Sequence, residues 1–480
     1  MARGQRRGVR AEGYRVPFEV LDLSYMEALQ TLHAACKFGI QPMLETVVDM
    51  LAELGDPDLS FRSLQIAGTN GKTSTSRYAA AILRGQGLRV ALYTSPELVS
   101  LTERMEVDGV PVSEGAFARS VAAAAEAGRR VNVRRRASGE RPYDVTQFDI
   151  LTVAACVAFA QADVDVAVLE CGMGGRWDAT SAVKSIEAVA VTGVGLDHTR
   201  ILGDTLEAIA GEKAAIIRCG QSCVLGVGTA TPDSVEDVFL DRCRSQDVTP
   251  VLLRPECLED AAGEMHAGVP RRHASLLRAS YRITSRPRRL GAPLELTVRT
   301  PRRAYTGLTA LKPSYQAANI ACAVTLTEAF LDGELDGDRL LESVRQCPTP
   351  GRFSLLRPNP PVLVDACHNP QSVDAFLAAL QDIAPDPATR PPLLCAVLAD
   401  KDVGGIVSRL ARAFPAVVCT QTSSSRSLGA DELVRRFLAA GATVTGSYGS
   451  VAAALAAMSA GPLVGCGSIT LAGALAALLA

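Results

Sequence analysis

Aromatic side chains are scarce in this 480-residue chain: Phe, Trp and Tyr make up 5% of it, with a single Trp, while apolar residues as a whole reach 48%. A core of that size with so few rings must rest on Ala, Val and Leu, as helix-covered parallel sheets do, so the class expected is α/β. Excess charge is lacking too, since 49 Lys and Arg stand against 51 Asp and Glu for a formal net charge of -2. That balance gives no reason to expect nucleic acid or an acidic membrane as a partner. No uninterrupted apolar run reaches membrane-spanning length, and no apolar signal core follows the basic start MARGQRRGVRAEG. A soluble, cytoplasmic protein is expected. Paired metal-ligand spacing is also missing: the 13 cysteines stand singly, many in apolar runs such as those around Cys156 and Cys171, and read as reduced, buried thiols.

The length exceeds what one hydrophobic core usually supports, which predicts two domains. Residues 1–25 read as a basic extension, and the helix-period apolar positions of 26–55 read as a cover for a sheet edge. FRSLQIA, RVALYTS, VDVAVLECG and IEAVAVTGV are short β-branched runs separated by helix-like stretches, the alternation of parallel strands with crossovers. The arginine-rich stretch Arg129 to Arg136 reads as a solvated loop. From 236 to 310 the chain turns polar and Arg-rich, a small antiparallel addition or long loops. After the helical YQAANIACAVTLTEAFL, the Gly- and Pro-rich CPTPGR marks a hinge. Alternation then restarts with PPVLVDACHNP, PLLCAVLADKD, AVVCTQ and PLVGCGS, a second and smaller doubly wound unit. The expected boundary puts 1–346 in the first domain and 347–480 in the second.

The strongest local signal is Gly68-Thr69-Asn70-Gly71-Lys72-Thr73-Ser74 between a strand and a helix. Glycines let the backbone wrap an anion, successive N–H groups and the helix N-terminus point at phosphate oxygens, Lys72 brings charge near the β and γ phosphates, and a hydroxyl can meet magnesium. Strict Walker spacing would need glycine where Ile66 stands, so this is the shorter GTxGK form.

IAGTNGKTS is followed in order by LYTSPEL, LECGMGGRWDATS, GVGLDHTRILGDTLEAIAGEKAAII, YQAAN, PGRFSLL and DACHNP. That series resembles the folylpolyglutamate synthase and dihydrofolate synthase family of the Mur ligase superfamily, from about residue 26 to the C-terminus. The resemblance implies a P-loop-containing Mur-ligase-type central ATPase domain and a smaller Rossmann-like C-terminal glutamate ligase domain. It also implies a cleft that takes ATP, magnesium (two ions), L-glutamate and a folate or dihydropteroate, in a monomer.

Site roles follow from the matching residues. Glu170 ends an apolar strand, where an acidic group is costly unless it faces a cation, and is expected to bind magnesium with Ser95. His198, just beyond another strand end, is expected to contact the second metal or a phosphate. The resemblance implies that Lys213 is carbamylated, turning a cation into a carboxylate-like metal ligand. Arg352 offers a planar, multidentate grip on the triphosphate. Asp365 and His368 are expected at the ribose or base, and Asn319 at the adenine. Thr146 and Phe148, then Trp177, Asp178 and Ala179, correspond to pterin-contacting segments. The chain departs from the family's pattern at Thr73 (usually Gly), Glu97 (His), Asp149 (Glu) and Trp177 (Leu).

The chemistry expected is transfer of the ATP γ-phosphoryl group to a folate carboxylate, giving an acyl phosphate that the amine of glutamate attacks. The main alternative is a Mur-type ligase acting on another carboxylate such as a cell-wall precursor. A nucleotide-binding switch that has lost ligation is the other.

Overall fold

The computed structural model describes residues 13–35, 43–256, 276–458 and 461–480. Residues 1–12 of the basic extension therefore lie outside the described residues. The first set of strands is β1 (Arg62–Ala67), β2 (Val90–Tyr93), β3 (Met105–Val107), β4 (Val110–Pro111), β5 (Val166–Glu170), β6 (Ile186–Gly193), β7 (Ser222–Gly228), β8 (Val251–Pro255), β9 (Leu277–Ser285), β10 (Leu294–Arg299) and β11 (Ala304–Ala310). They form one sheet in the order β11-β10-β9-β8-β7-β6-β1-β5-β2-β3-β4. From β9 through β2 every pairing is parallel, and the two ends are finished by antiparallel pairs. The central strands are buried along almost their whole length because helices cover both faces, which is why they read as continuous apolar runs.

One face carries the helices Lys72–Gly85, Gln316–Leu331 and Gly337–Gln346 over Leu64, Ile66, Val168 and Ala190. The other carries the helices Glu114–Ala137, Gln147–Gln161, Leu206–Ala214 and Asp233–Ser245 over Ala67, Ala167, Leu169 and Val191. The polar 236–310 region resolves into the end of a helix, β8, and the antiparallel β9, β10 and β11; residues 257–275 lie outside the described set. It extends the main sheet at its far edge.

Two expectations need correction. Arg129 to Arg136 is no loop but the last turns of the 24-residue helix Glu114–Ala137. Arg129 pairs with Glu126, Arg130 and Arg134 pair with Glu53, and Arg135 stacks on the Tyr143 ring. A run of arginines satisfies a helix C-terminus as readily as it solvates a loop. The helices Tyr25–Ala34 and Leu44–Glu53 do not cap a sheet edge; they lie against the helices Glu114–Ala137 and Gln147–Gln161 as a further layer.

The second unit has β12 (Ser354–Pro358), β13 (Pro361–Asp365), β14 (Leu393–Cys395), β15 (Val417–Thr420), β16 (Val444–Tyr448) and β17 (Leu463–Cys466). The order is β12-β13-β17-β14-β15-β16, all parallel except β12. Sequence reading found four of these strands. It passed over the two edges, β12 and β16, which are only half-buried and carry no continuous apolar run. Among the described residues no helix is long and apolar enough to cross a membrane.

The phosphate-loop helix is tied to the β2–β3 end of the sheet by Arg77, which donates to both oxygens of Glu106 at 2.7 and 3.3 Å in a pair that is about nine-tenths buried. Removing one partner strands the other charge away from water. Arg77→Met is expected to destabilise the first domain by about 3 kcal/mol, read as a lower urea midpoint at unchanged slope.

Candidate active site

The carboxyl ends of β1, β5 and β6 open onto the same cleft as the carboxyl ends of β13 and β14, each at a point where strand order reverses. The cleft holds about 1070 Å³. Every residue given a site role from the sequence lines it, those of the second unit included.

At its centre is the loop Gly68 to Gly71. Gly68 has φ of 153°, and a Cβ there would meet Thr192 Oγ1 at 1.9 Å. Gly71 has φ of 87°, with a Cβ position 2.4 Å from Asn319 Oδ1. Only glycine fits both the backbone conformation and the space. Thr192 donates to the Asn70 carbonyl at 2.6 Å, and Thr69 Oγ1 accepts from Gly195 N–H at 2.9 Å, so the end of β6 moulds the loop from below. Lys72 folds back to donate to the Gly68 carbonyl at 3.0 Å, which holds its ammonium over the anion-binding backbone. Asn319 is placed against the loop, donating to Gln316 at 2.9 Å, and this packing is the role its geometry displays.

Beside the loop, Glu170 is buried at the end of β5. Its Oε1 accepts from the Thr73 hydroxyl at 2.8 Å and its Oε2 from Ser95 N–H at 3.3 Å. Burial pushes its carboxyl up, while Lys72, the Thr73 hydroxyl and Arg352 act in the opposite direction. Among the described residues no group of three or more His, Cys, Asp and Glu side chains forms a self-sufficient metal cage. The donor set instead fits Mg²⁺ arriving with a nucleotide, since that ion takes one or two protein oxygens and fills its other positions with phosphate oxygens and water. The Thr73 hydroxyl and Glu170 would supply those oxygens. Thr73, a departure from the family's pattern, thus reaches the acidic group directly.

Lys213 is 3% exposed, and burial together with the charge of Lys72 pushes its ammonium down to about 7. His198 sits at φ of 51° at the head of a short helix. Partial burial and the charge of Lys401 push its imidazole down to about 4, leaving a neutral ring at pH 7, the form that binds a metal or donates one N–H.

The opposite lobe is apolar. Phe148 lies under Gly172, where a Cβ would stand 2.6 Å from its ring, and is 6.1 Å from the Tyr93 ring. Trp177, 51% exposed, stands at the rim, and Ala179 closes the floor. Two polar residues expected to contact ligand line this lobe and also shape it. Thr146 accepts from Asp149 N–H and Asp149 accepts from Thr146 N–H, a capping box that starts the helix Gln147–Gln161. Asp178 accepts from Met173 N–H, Thr180 N–H and the Thr180 hydroxyl. Glu97, the departure from the family's usual histidine, accepts from Arg104 at 2.5 Å, and Arg104 itself lines the cleft.

From the second unit come Arg352, Asp365 and His368. Asp365 lines the cleft and also acts as a pin: it accepts from Cys367 N–H (2.8 Å), Phe353 N–H (2.9 Å) and the Tyr315 hydroxyl (2.7 Å). It therefore fixes the segment that presents Arg352. Residues that sequence reading did not single out also meet here. Asp197 pairs with Lys401 at 2.6 Å, and Asn70 donates to Gln371 at 2.8 Å. Asp197 stood in the quoted GLDHT and Lys401 in LADKD, but nothing in a linear pattern pairs residues 204 positions apart.

The Mur ligase middle domain matches residues 66–227 and the Mur ligase glutamate ligase domain matches residues 351–467. A dihydrofolate synthase/folylpolyglutamate synthase of Mycobacterium tuberculosis is 33% identical over 413 residues, 84% of this chain and 78% of that protein. The chain belongs to the folylpolyglutamate synthase and dihydrofolate synthase family. A Haloferax volcanii family member described as a bifunctional folylpolyglutamate synthase/dihydropteroate synthase is 33% identical over 90% of this chain, which spans 47% of that longer relative. Among solved structures, Mycobacterium tuberculosis folylpolyglutamate synthase complexed with ADP superposes with a TM-score of 0.82 at 28% identity, covering 95% of this chain and 98% of that one. Family membership gives the phosphate loop its sharpest test. Gly71→Ala forces a side chain into Asn319 at a left-handed backbone position, so nucleotide affinity is expected to drop by at least about a hundredfold while the circular dichroism spectrum is unchanged. Titration with ADP reads the outcome.

Proposed function

We propose that this chain is an ATP- and magnesium-dependent ligase that joins L-glutamate to a folate-type carboxylate, either dihydropteroate or a tetrahydrofolate. One observation carries the reading: a phosphate-binding loop and an arginine from a second domain line the same cleft as an aromatic lobe, so a nucleotide and a flat acid fit together. Residues 1–346 are the ATPase and folate-binding domain, and 347–480 are the glutamate ligase domain. The enzyme works as a cytoplasmic monomer with no nucleic-acid or membrane partner.

A carboxylate does not react with an amine at neutral pH, because its carbonyl is electron-rich and its leaving group is oxide. Transfer of the γ-phosphoryl group from ATP to the folate carboxylate gives an acyl phosphate and ADP. The free amine of glutamate attacks that carbonyl, the new C–N bond forms, and phosphate leaves. The protein's task is positioning and charge neutralisation. Loop amides and Lys72 hold the β and γ phosphates, and Arg352 meets the charge that spreads during transfer. Mg²⁺, when bound, would be held by Glu170 with the Thr73 and Ser95 hydroxyls and would supply further charge neutralisation to the phosphate oxygens; His198 and Lys213 would hold a second ion. Phe148, Trp177 and Ala179 seat the pterin. Closure of the second domain excludes water and protects the acyl phosphate from hydrolysis.

Lys213 takes its role as a carbamate. Burial beside Lys72 disfavours its ammonium, and the neutral amine adds to CO₂ to give a carbamate and a proton. That anion relieves the crowding of Lys72 and Lys213. In buffer equilibrated with ¹³C-bicarbonate the wild-type protein is expected to show one protected carbamate carbon resonance, absent in Lys213→Ala; an identical spectrum for the two would remove the modification.

The reaction itself is read from product masses after incubation with ATP, magnesium, glutamate and each pterin acceptor in turn. Addition of one glutamyl unit per ADP released is expected. Lys72→Ala is expected to lower turnover by at least about a thousandfold. Ligation to a nucleotide-linked peptide, with none to any pterin, would replace this substrate class by the cell-wall one.

A further inference from the structure

Among the described residues, Asp197 is the point where three separate segments converge. It belongs to the loop after β6, and its carboxylate is about nine-tenths buried. Its Oδ1 accepts from Lys401 Nζ at 2.6 Å and from His198 N–H at 2.9 Å. Its Oδ2 accepts from Asn369 at 3.3 Å and lies 3.7 Å from His368 Nε2. Lys401, Asn369 and His368 all come from the second domain. The Lys401 side chain is only 7% exposed, so neither charge is well hydrated without the other.

The same seam reaches the phosphate loop. Asn70 and Asn369 exchange side-chain amide hydrogen bonds at 3.1 and 3.3 Å, and Asn70 also donates to Gln371. Thr69 and Gly195 are joined through the Thr69 hydroxyl. Asn369 is at the same time the N-cap of the helix Pro370–Ile383, accepting from Ser372 N–H. A rigid element of the second domain thus touches, through one asparagine, both the loop that cradles phosphate and the carboxylate beside His198.

We propose that Asp197 and Lys401 form an interdomain clasp that makes docking of the second domain the condition for ordering the phosphate loop and His198. Lys401 is a positioning residue in this scheme. Its charge holds Asp197, Asp197 fixes the backbone N–H of His198 and the amide of Asn369, and Asn369 fixes Asn70. With the clasp open, the first domain still folds, because its core on both faces of the main sheet lies away from the seam. The phosphate loop would then lack its outer support. The clasp couples domain closure to catalytic competence without a change of fold, as an interface with two discrete arrangements does.

The test is amide hydrogen exchange on the full chain without substrate, in wild type, Lys401→Met, Asp197→Asn and the double variant. Segments 68–73 and 195–200 are expected to exchange at least about tenfold faster than wild type in each single variant, and no faster in the double than in either single, as a coupled pair requires. Amides of the helix Gln147–Gln161 should be unchanged. Because Asn369→Asp keeps a residue that caps helices equally well yet sets a carboxylate against Asp197, it is expected to loosen the same two segments while all lysines remain. Turnover provides the second reading: kcat is expected to fall by about tenfold or more with a smaller change in the KM for ATP, and the single losses should not multiply in the double. Unchanged exchange in both segments, or losses that multiply, would overturn the clasp. The exchange measurement needs no substrate, so it decides the clasp even if the acceptor turns out to be other than a folate.

Discussion

Backbone amides can hold a phosphate only if the backbone itself is held, and in this molecule the loop from Gly68 to Gly71 is held entirely by its neighbours. Thr192 grips it from the end of β6, Asn319 presses on it from the helix Gln316–Leu331, and Asn369 reaches it from the second domain. Glycine is required at both ends because those neighbours leave no room for a Cβ. The parallel sheet matters chiefly because it brings the ends of β1, β5 and β6 to one place, so that loop, Glu170 and His198 share a cleft.

Charge in that cleft is organised by burial. Glu170 is kept from water with Lys72 and Arg352 for company, Lys213 is buried beside Lys72, and Asp197 is held well below the usual carboxylate range despite its burial, because His368 and Lys401 face it. Positive charge from Lys72, Lys213 and Arg352 gathers where triphosphate would lie, while the Asp197 carboxylate joins the two domains. Low dielectric makes each of these interactions stronger than it would be in bulk water. The lobe beside Phe148 and Trp177 opens onto the same cleft.

Local grammar made much of this readable beforehand. Gly-x-x-Gly-Lys-Thr between a β-branched run and a helical stretch has one common physical use, and strand ends followed by Glu170 or His198 mark ligand-facing positions in any open parallel sheet. The mistakes have equally local causes. Arg129 to Arg136 was misplaced because charge density is a poor guide to helix or loop once partners such as Glu53, distant in sequence, are available. Thr146 and Asp178, expected at ligand, do line the cleft, and the structure adds that their oxygens cap and close their own turns. The half-buried edge strands β12 and β16 carry too little apolar sequence to announce themselves.

By itself the sequence determined the alternation of strand and helix, the phosphate loop and the division into two units, because each depends on residues within one short window. Only the tertiary structure decided that Asp365 is a pin beneath Arg352, that Asn319 braces Gly71, and that Asp197 meets Lys401. Those outcomes depend on how two sheets face each other. Pairings across such a seam join residues far apart in the chain, and their energy comes from a shared loss of water that no single segment experiences alone.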